Sequence, residues 1–122
     1  MESTSQPAQA EIIASTLDHH HFRFSNEYEL HAGVAQVLTS MGLEFHKEVL
    51  LAPKNRIDFL VGRIGIEIKI DMSLAGVTRQ LWRYADSDQI EAIILVTTRH
   101  AHRALPLEMK GKPIFVVYLL NL

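Results

Sequence analysis

RIDFLVGRIGIEIKI, residues Arg56–Ile70, is the stretch whose reading decides the fold. Two apolar runs flank Gly62–Arg63, the composition of a tight hairpin turn, so Arg56–Val61 and Ile64–Ile70 read as paired strands. In the second run Ile64, Ile66, Ile68 and Ile70 share one face, and Glu67 and Lys69 share the other. Side chains two apart on a strand stand side by side, so this pattern sets a carboxylate next to an ammonium. Asp58 lies in the partner strand. If it reaches the same end of the hairpin, two carboxylates converge beside a lysine. Hard cations such as Mg²⁺ favour oxygen ligands of this kind, usually one or two carboxylates with several waters. A neighbouring lysine can orient or deprotonate a water and offset charge on a phosphate. The other reading of Glu67 and Lys69 is the solvated face of a half-buried strand.

Upstream, Leu30, Val34, Val37, Leu38 and Met41 recur at helical spacing and predict an amphipathic helix over Asn26–Ser40. Asn26 and Glu29 form a capping-box pair, and Gly42 supplies the stop. Glu44–Leu51 reads as a strand closed by the turn Ala52–Asn55. Downstream, Leu74, Val77, Leu81 and Tyr84 mark a helix from Ser73 to about Ser87. Ile90–Thr97 is a nearly continuous apolar run, expected of a strand covered on both faces. A polar, basic stretch, Thr98–Arg103, with His100 and His102 read as exposed loop residues, precedes a last strand over Pro113–Leu120. The order is α-β-β-β-α-β-(short α)-β, an α/β domain with a mixed sheet flanked by helices.

The chain has 122 residues, enough for one domain with its own core. It contains no cysteine, which excludes disulfides, thiolate metal sites and a thiol nucleophile. No Gly-rich phosphate loop, no G-x-S-x-G elbow and no His pair at metal spacing on a helix is present. No apolar run approaches the roughly 20 residues of a bilayer span, and no secretory leader opens the chain. A soluble cytoplasmic protein that binds no membrane is the expectation. Residues 1–24 read as a flexible tail, with a possible short helical turn at Glu11–Leu17 resting on Ile12, Ile13 and Leu17; residues 25–122 form the domain. The consecutive His19, His20 and His21 point in different directions and read as a solvated linker.

The residues resemble the PD-(D/E)xK nuclease superfamily, whose core is α-β-β-β-α-β. Asp58 on the second strand and Glu67-x-Lys69 on the third match its two motif segments; Ile57 stands where the motif's name has Pro. The resemblance spans about Asn26–Thr97 and implies a restriction-endonuclease-like fold and Mg²⁺-dependent hydrolysis of DNA, with Mn²⁺ substituting. It implies Asp58, Glu67 and the Ile68 carbonyl as metal ligands and Lys69 as the residue that positions the attacking water. Members often add a Glu from the first helix. At 100° per residue Glu27 lies roughly 36° from the centre of the apolar face and Glu29 about 120° away. Glu27 is therefore the expected ligand, as in the similar Glu-x-Glu-Leu opening of archaeal Holliday-junction resolvases. Gln80 and Tyr84, neighbours at i, i+4, are similar to the Gln-x-x-x-Tyr pair of RecB-like and phage-lambda-like exonucleases.

The chain carries a formal charge of −2, yet Lys54–Tyr84 holds six basic residues against three acidic ones. Lys54, Arg56, Arg79 and Arg83 are the expected contacts to a DNA backbone. The last strand, apolar on consecutive positions, is an edge in need of cover and predicts a homodimer. The rival reading is the same fold kept as a catalytically inactive DNA-binding or assembly module.

Overall fold

The computed structural model describes residues 5–120. Its elements run α1 (Gln6–His19), α2 (Glu27–Ser40), β1 (His46–Ala52), β2 (Asn55–Val61), β3 (Ile64–Lys69), α3 (Leu74–Ala85), β4 (Ala92–Thr97), a 3-10 turn (His100–Ala104), β5 (Glu108–Met109) and β6 (Lys112–Tyr118). One sheet orders the strands β1-β2-β3-β4-β6-β5. β1, β2 and β3 form an antiparallel meander, while β3, β4 and β6 run parallel. The parallel pairs need crossovers, and α3 supplies the first.

Each face of the sheet carries its own core. Phe59, Ile66, Ile68, Ile94 and Val96 pack under α1 and α2, whereas Ile57, Ile93 and Leu95 pack under α3. All six residues of β4 are buried, as its continuous apolar run requires. Asn26 caps α2 by accepting the Glu29 N–H at 2.8 Å, and the Glu29 carboxylate accepts the Ser25 N–H. That backbone donor holds the Glu29 carboxyl below the usual range.

Gly65 has a packing reason. A Cβ there would stand 2.3 Å from Ile57 Cδ1 and 3.0 Å from Ile90 Cδ1, so a larger residue would force these buried side chains to shift.

The N-terminal segment differs from the expected tail. Residues 1–4 lie outside the described residues, but Gln6–His19 is a 14-residue helix docked on the sheet. Ser5 caps it, Pro7 sits in its first turn, and Ala10, Ile13, Ala14 and Leu17 bury one stripe at i, i+3, i+4, i+7 spacing. Ile12, expected on that stripe, is exposed. The Gln6 side chain also accepts the Arg63 N–H at 2.6 Å, tying the helix to the β2–β3 turn. Small alanines let the helix lie close, and their modest hydrophobicity hides that face in composition. His19, His20 and His21 are exposed.

His102 is a second correction: it is fully buried. Its Nε2 donates to the Met72 carbonyl at 2.7 Å, and its Nδ1 meets Thr97 Oγ1 at 2.6 Å. A carbonyl only accepts, which assigns the proton to Nε2. The ring thus joins the segment after β3 to the end of β4. Among the described residues no helix is long and apolar enough to cross a membrane.

Candidate active site

The β2–β3 ladder stops at Phe59↔Ile66. Beyond that pair, side chains replace the backbone bonds. The Asp58 N–H donates to Glu67 Oε1 at 3.1 Å, and the Ile68 N–H donates to Asp58 Oδ2 at 2.8 Å. The two strands are held apart by two carboxylates, each satisfying a main-chain donor of the opposite strand. On the other side of β2, Glu48 has φ 52° and lies between the pairs Lys47↔Phe59 and Val49↔Ile57, directly opposite Asp58. A left-handed non-glycine residue inside a strand costs on the order of 1–3 kcal/mol. β2 also turns over here, since Ile57 faces α3 and Phe59 faces α1 and α2.

The opening has two unlike sides. On the α3 side Glu67 is only 1% exposed, which overturns the solvated-face reading. Tyr84 Oη lies 2.8 Å from Glu67 Oε2, 2.7 Å from the Arg56 carbonyl and 2.8 Å from Gln80 Nε2. A phenol has one proton, and the Arg56 carbonyl can only accept it. The contact between Tyr84 and Glu67 is then attractive when Glu67 carries a proton of its own. Burial, and secondarily the Asp58 charge, push the Glu67 carboxyl up to about 8, against the pull of Lys69. Lys69 Nζ stands 3.4 Å from Glu67 Oε2. Tyr84 is itself raised well above the ordinary phenol range, first by burial and then by the Glu67 charge. Gln80 Oε1 is buried with no partner among the described residues.

On the α2 side Asp58 is half-buried at the base of a hollow of about 400 Å³ lined by Glu27, Tyr28, His31, Lys47 and Glu48. His31 Nε2 approaches Asp58 Oδ2 at 3.6 Å, and its ring packs on Phe59. Both the Ile68 N–H and His31 address Oδ2; Oδ1 takes neither contact.

The structure therefore brings Asp58, Glu67, Ile68, Lys69, Gln80 and Tyr84 into one connected set. Glu27 shares the hollow with Asp58 but not the Glu67 side. Among the described residues no three acidic or histidine side chains converge closely enough to hold a metal ion. The expected basic contacts lie apart: Lys54 and Arg83 line a hollow with Asp86 and Asp88, and Arg79 and Arg83 flank the exposed Trp82. Neither hollow is lined by Asp58 or Glu67. His31 carries no motif signal in the sequence, although its i+4 spacing from Glu27 places both on one helix face. The backbone turn at Glu48 has no signal in composition.

The donor chemistry at the opening fits a hard divalent cation. Two carboxylates and a backbone carbonyl supply oxygen only, the ligand class of Mg²⁺. Because the Ile68 N–H points toward Asp58, its carbonyl points to that same side of β3. No protein-family model matches the chain, and no curated protein or solved structure is significantly similar to it.

Proposed function

We propose that the chain is a metal-dependent deoxyribonuclease of the PD-(D/E)xK type, hydrolysing DNA phosphodiester bonds with Mg²⁺ or Mn²⁺. The observation that carries this reading is the opened ladder. Two acids on adjacent strands each accept a backbone N–H of the opposite strand, and a lysine stands beside the second acid. The order α2-β1-β2-β3-α3-β4 supports a restriction-endonuclease-like core.

Asp58, Glu67 and the Ile68 carbonyl would hold the cation, with Glu27 near enough to the Asp58 hollow to complete the shell through water. The bound cation supplies Lewis-acid stabilisation of the scissile phosphate and lowers the pKa of its water. Lys69 positions the nucleophilic water and balances charge on the phosphate. Tyr84, itself gripped by Gln80 and Arg56, fixes the Glu67 carboxyl in one orientation. Arg56, Lys54, Arg79 and Arg83 offer exposed cations for the phosphate backbone.

One observation favours the second reading, an inactive DNA-binding or assembly module. Glu67 is sealed, and both of its oxygens are already engaged. Incubating the protein with linear, nicked, branched and single-stranded DNA in Mg²⁺, Mn²⁺ or EDTA separates the two. The nuclease reading expects metal-dependent cleavage lost in Asp58→Asn. DNA binding without cleavage under every condition selects the module.

A further inference from the structure

Tryptophan occurs once in the chain, at Trp82, and its side chain is 50% exposed on the outer face of α3. The opposite face of the helix is spent on the core through Val77, Leu81 and Tyr84. Arg79 and Arg83 form an i, i+4 pair beside the ring, and with Thr78 they line a hollow of about 310 Å³ over it. Lys110 Nζ stands 5.0 Å from the ring centroid but does not line that hollow, so a cation holds one side of the indole while the side toward the arginines is open. Lys110 is itself fixed by Asp86 at 2.5 Å.

The cations around the ring are free. Arg63, Lys69, Arg99 and Lys110 each have a carboxylate at ion-pair distance, whereas among the described residues Arg79, Arg83, Lys54 and Arg56 have none. All four of the latter are exposed. They belong to adjoining surfaces, because the Asn55 side chain donates to the Arg83 carbonyl at 3.4 Å and Lys54 shares a hollow with Arg83. Asp86 and Asp88 also line this hollow, but Asp86 is already paired with Lys110, so positive charge remains in excess.

We infer that this face of α3 is a platform for single-stranded DNA, with an unpaired base stacked on Trp82 and the strand's phosphates on Arg79, Arg83, Lys54 and Arg56. Four unpaired cations are complementary to a polyanion. The ring selects the kind of polyanion: a duplex keeps its base faces stacked inside, whereas a single strand can lay one on an open indole. A protein partner would favour apolar neighbours around such an anchor, and this ring has a hydroxyl and three cations. The inference rests on the nuclease reading for the identity of the strand, and it narrows the substrate to DNA with an unpaired segment. Arg56 links platform and opening, since its carbonyl accepts the Tyr84 hydroxyl while its side chain is exposed.

The lone tryptophan makes intrinsic fluorescence the readout. The full chain is titrated in EDTA, where binding is read without cleavage, with oligothymidylate, with blunt duplex DNA of equal length, with heparin as a polyanion lacking bases, and with an acidic peptide. Oligothymidylate should quench the emission saturably, and the duplex and heparin should bind without comparable quenching. By anisotropy of a labelled strand, Trp82→Ala should weaken single-strand binding about tenfold and leave duplex binding unchanged, while Trp82→Phe should keep most of the affinity. Arg79→Gln should lower the slope of log affinity against log salt by about 0.7, the loss of one single-strand phosphate contact. Absence of oligothymidylate binding overturns the inference, as does duplex quenching equal to that by single strand, or unchanged single-strand affinity in a folded Trp82→Ala protein. Equal quenching by the acidic peptide overturns it too, and assigns the face to a protein partner. Quenching by oligothymidylate with no metal-dependent cleavage upholds the platform and removes the nuclease reading; cleavage without quenching does the reverse.

Discussion

On the α3 side of the β2–β3 opening a carboxyl is sealed and held by a tyrosine; on the α2 side another is half-open to solvent, and its one side-chain neighbour within ion-pair distance among the described residues is a histidine. Each acid accepts a backbone N–H of the opposite strand, yet their surroundings differ in dielectric and in the number of fixed partners. Burial raises the Glu67 carboxyl and favours its protonated form near neutrality, while Asp58 opens onto the hollow beside α2. A carboxyl raised by burial and a neighbouring charge, as Glu67 is, is common at functional sites. Under the proposed function both acids would hold the cation, Glu67 from an orientation fixed by Tyr84 and Asp58 from the side open to the hollow.

The largest expected effect lies on the open side and at the lysine. Asp58→Asn and Lys69→Ala should each lower Mg²⁺-dependent cleavage by about a thousandfold, measured on linear duplex DNA, with the fold retained by circular dichroism. Equal activity in either variant would break the contrast. The next lies on the sealed side. Tyr84→Phe leaves the Arg56 carbonyl, the Glu67 carboxyl and the Gln80 amide without their shared partner, and should cost about 2 kcal/mol in chemical denaturation.

Glu67→Gln sharpens the comparison through pH. A carboxyl whose folded pKa lies near 8, above its ordinary 4.5, binds its proton more tightly in the folded state. Its contribution is full at pH values below 4.5 and is lost as pH rises through 8. The wild type should therefore match Glu67→Gln in melting temperature near pH 5 and fall below it by pH 9. Parallel curves would show Glu67 to be ionised throughout. The smallest effect belongs to His31→Ala, whose half-exposed contact with Asp58 should contribute about 1 kcal/mol or less to stability.

The hairpin, both central helices and the buried β4 were legible because period-2 and period-3.6 patterns there are strong and carried by large side chains. α1 was not, because two of the four residues on its buried stripe are alanines set among polar neighbours. The placement of Asp58 beside Glu67 could be read only as a condition. It depends on where the ladder ends, and that is set by the reversal of β2 and the left-handed Glu48, neither of which residue type announces. The burial of Glu67 was similarly hidden: alternation puts it opposite Ile66 and Ile68, but the helix that covers that face comes later in the chain. His102 looked like loop because its burial comes from the distant Met72 carbonyl.

Calorimetric titration of Mn²⁺ into the wild type, Asp58→Asn and Glu29→Gln proteins, run beside the cleavage assay in one buffer, tests the central claim most directly. Glu29 accepts a backbone N–H at the helix cap and does not line the Asp58 hollow, so its variant is the internal control. The opened ladder as a metal centre predicts cation binding in the wild type and in Glu29→Gln, and none in Asp58→Asn, with cleavage following the same pattern. A wild-type protein that binds no divalent cation, with DNA or without it, would contradict the account.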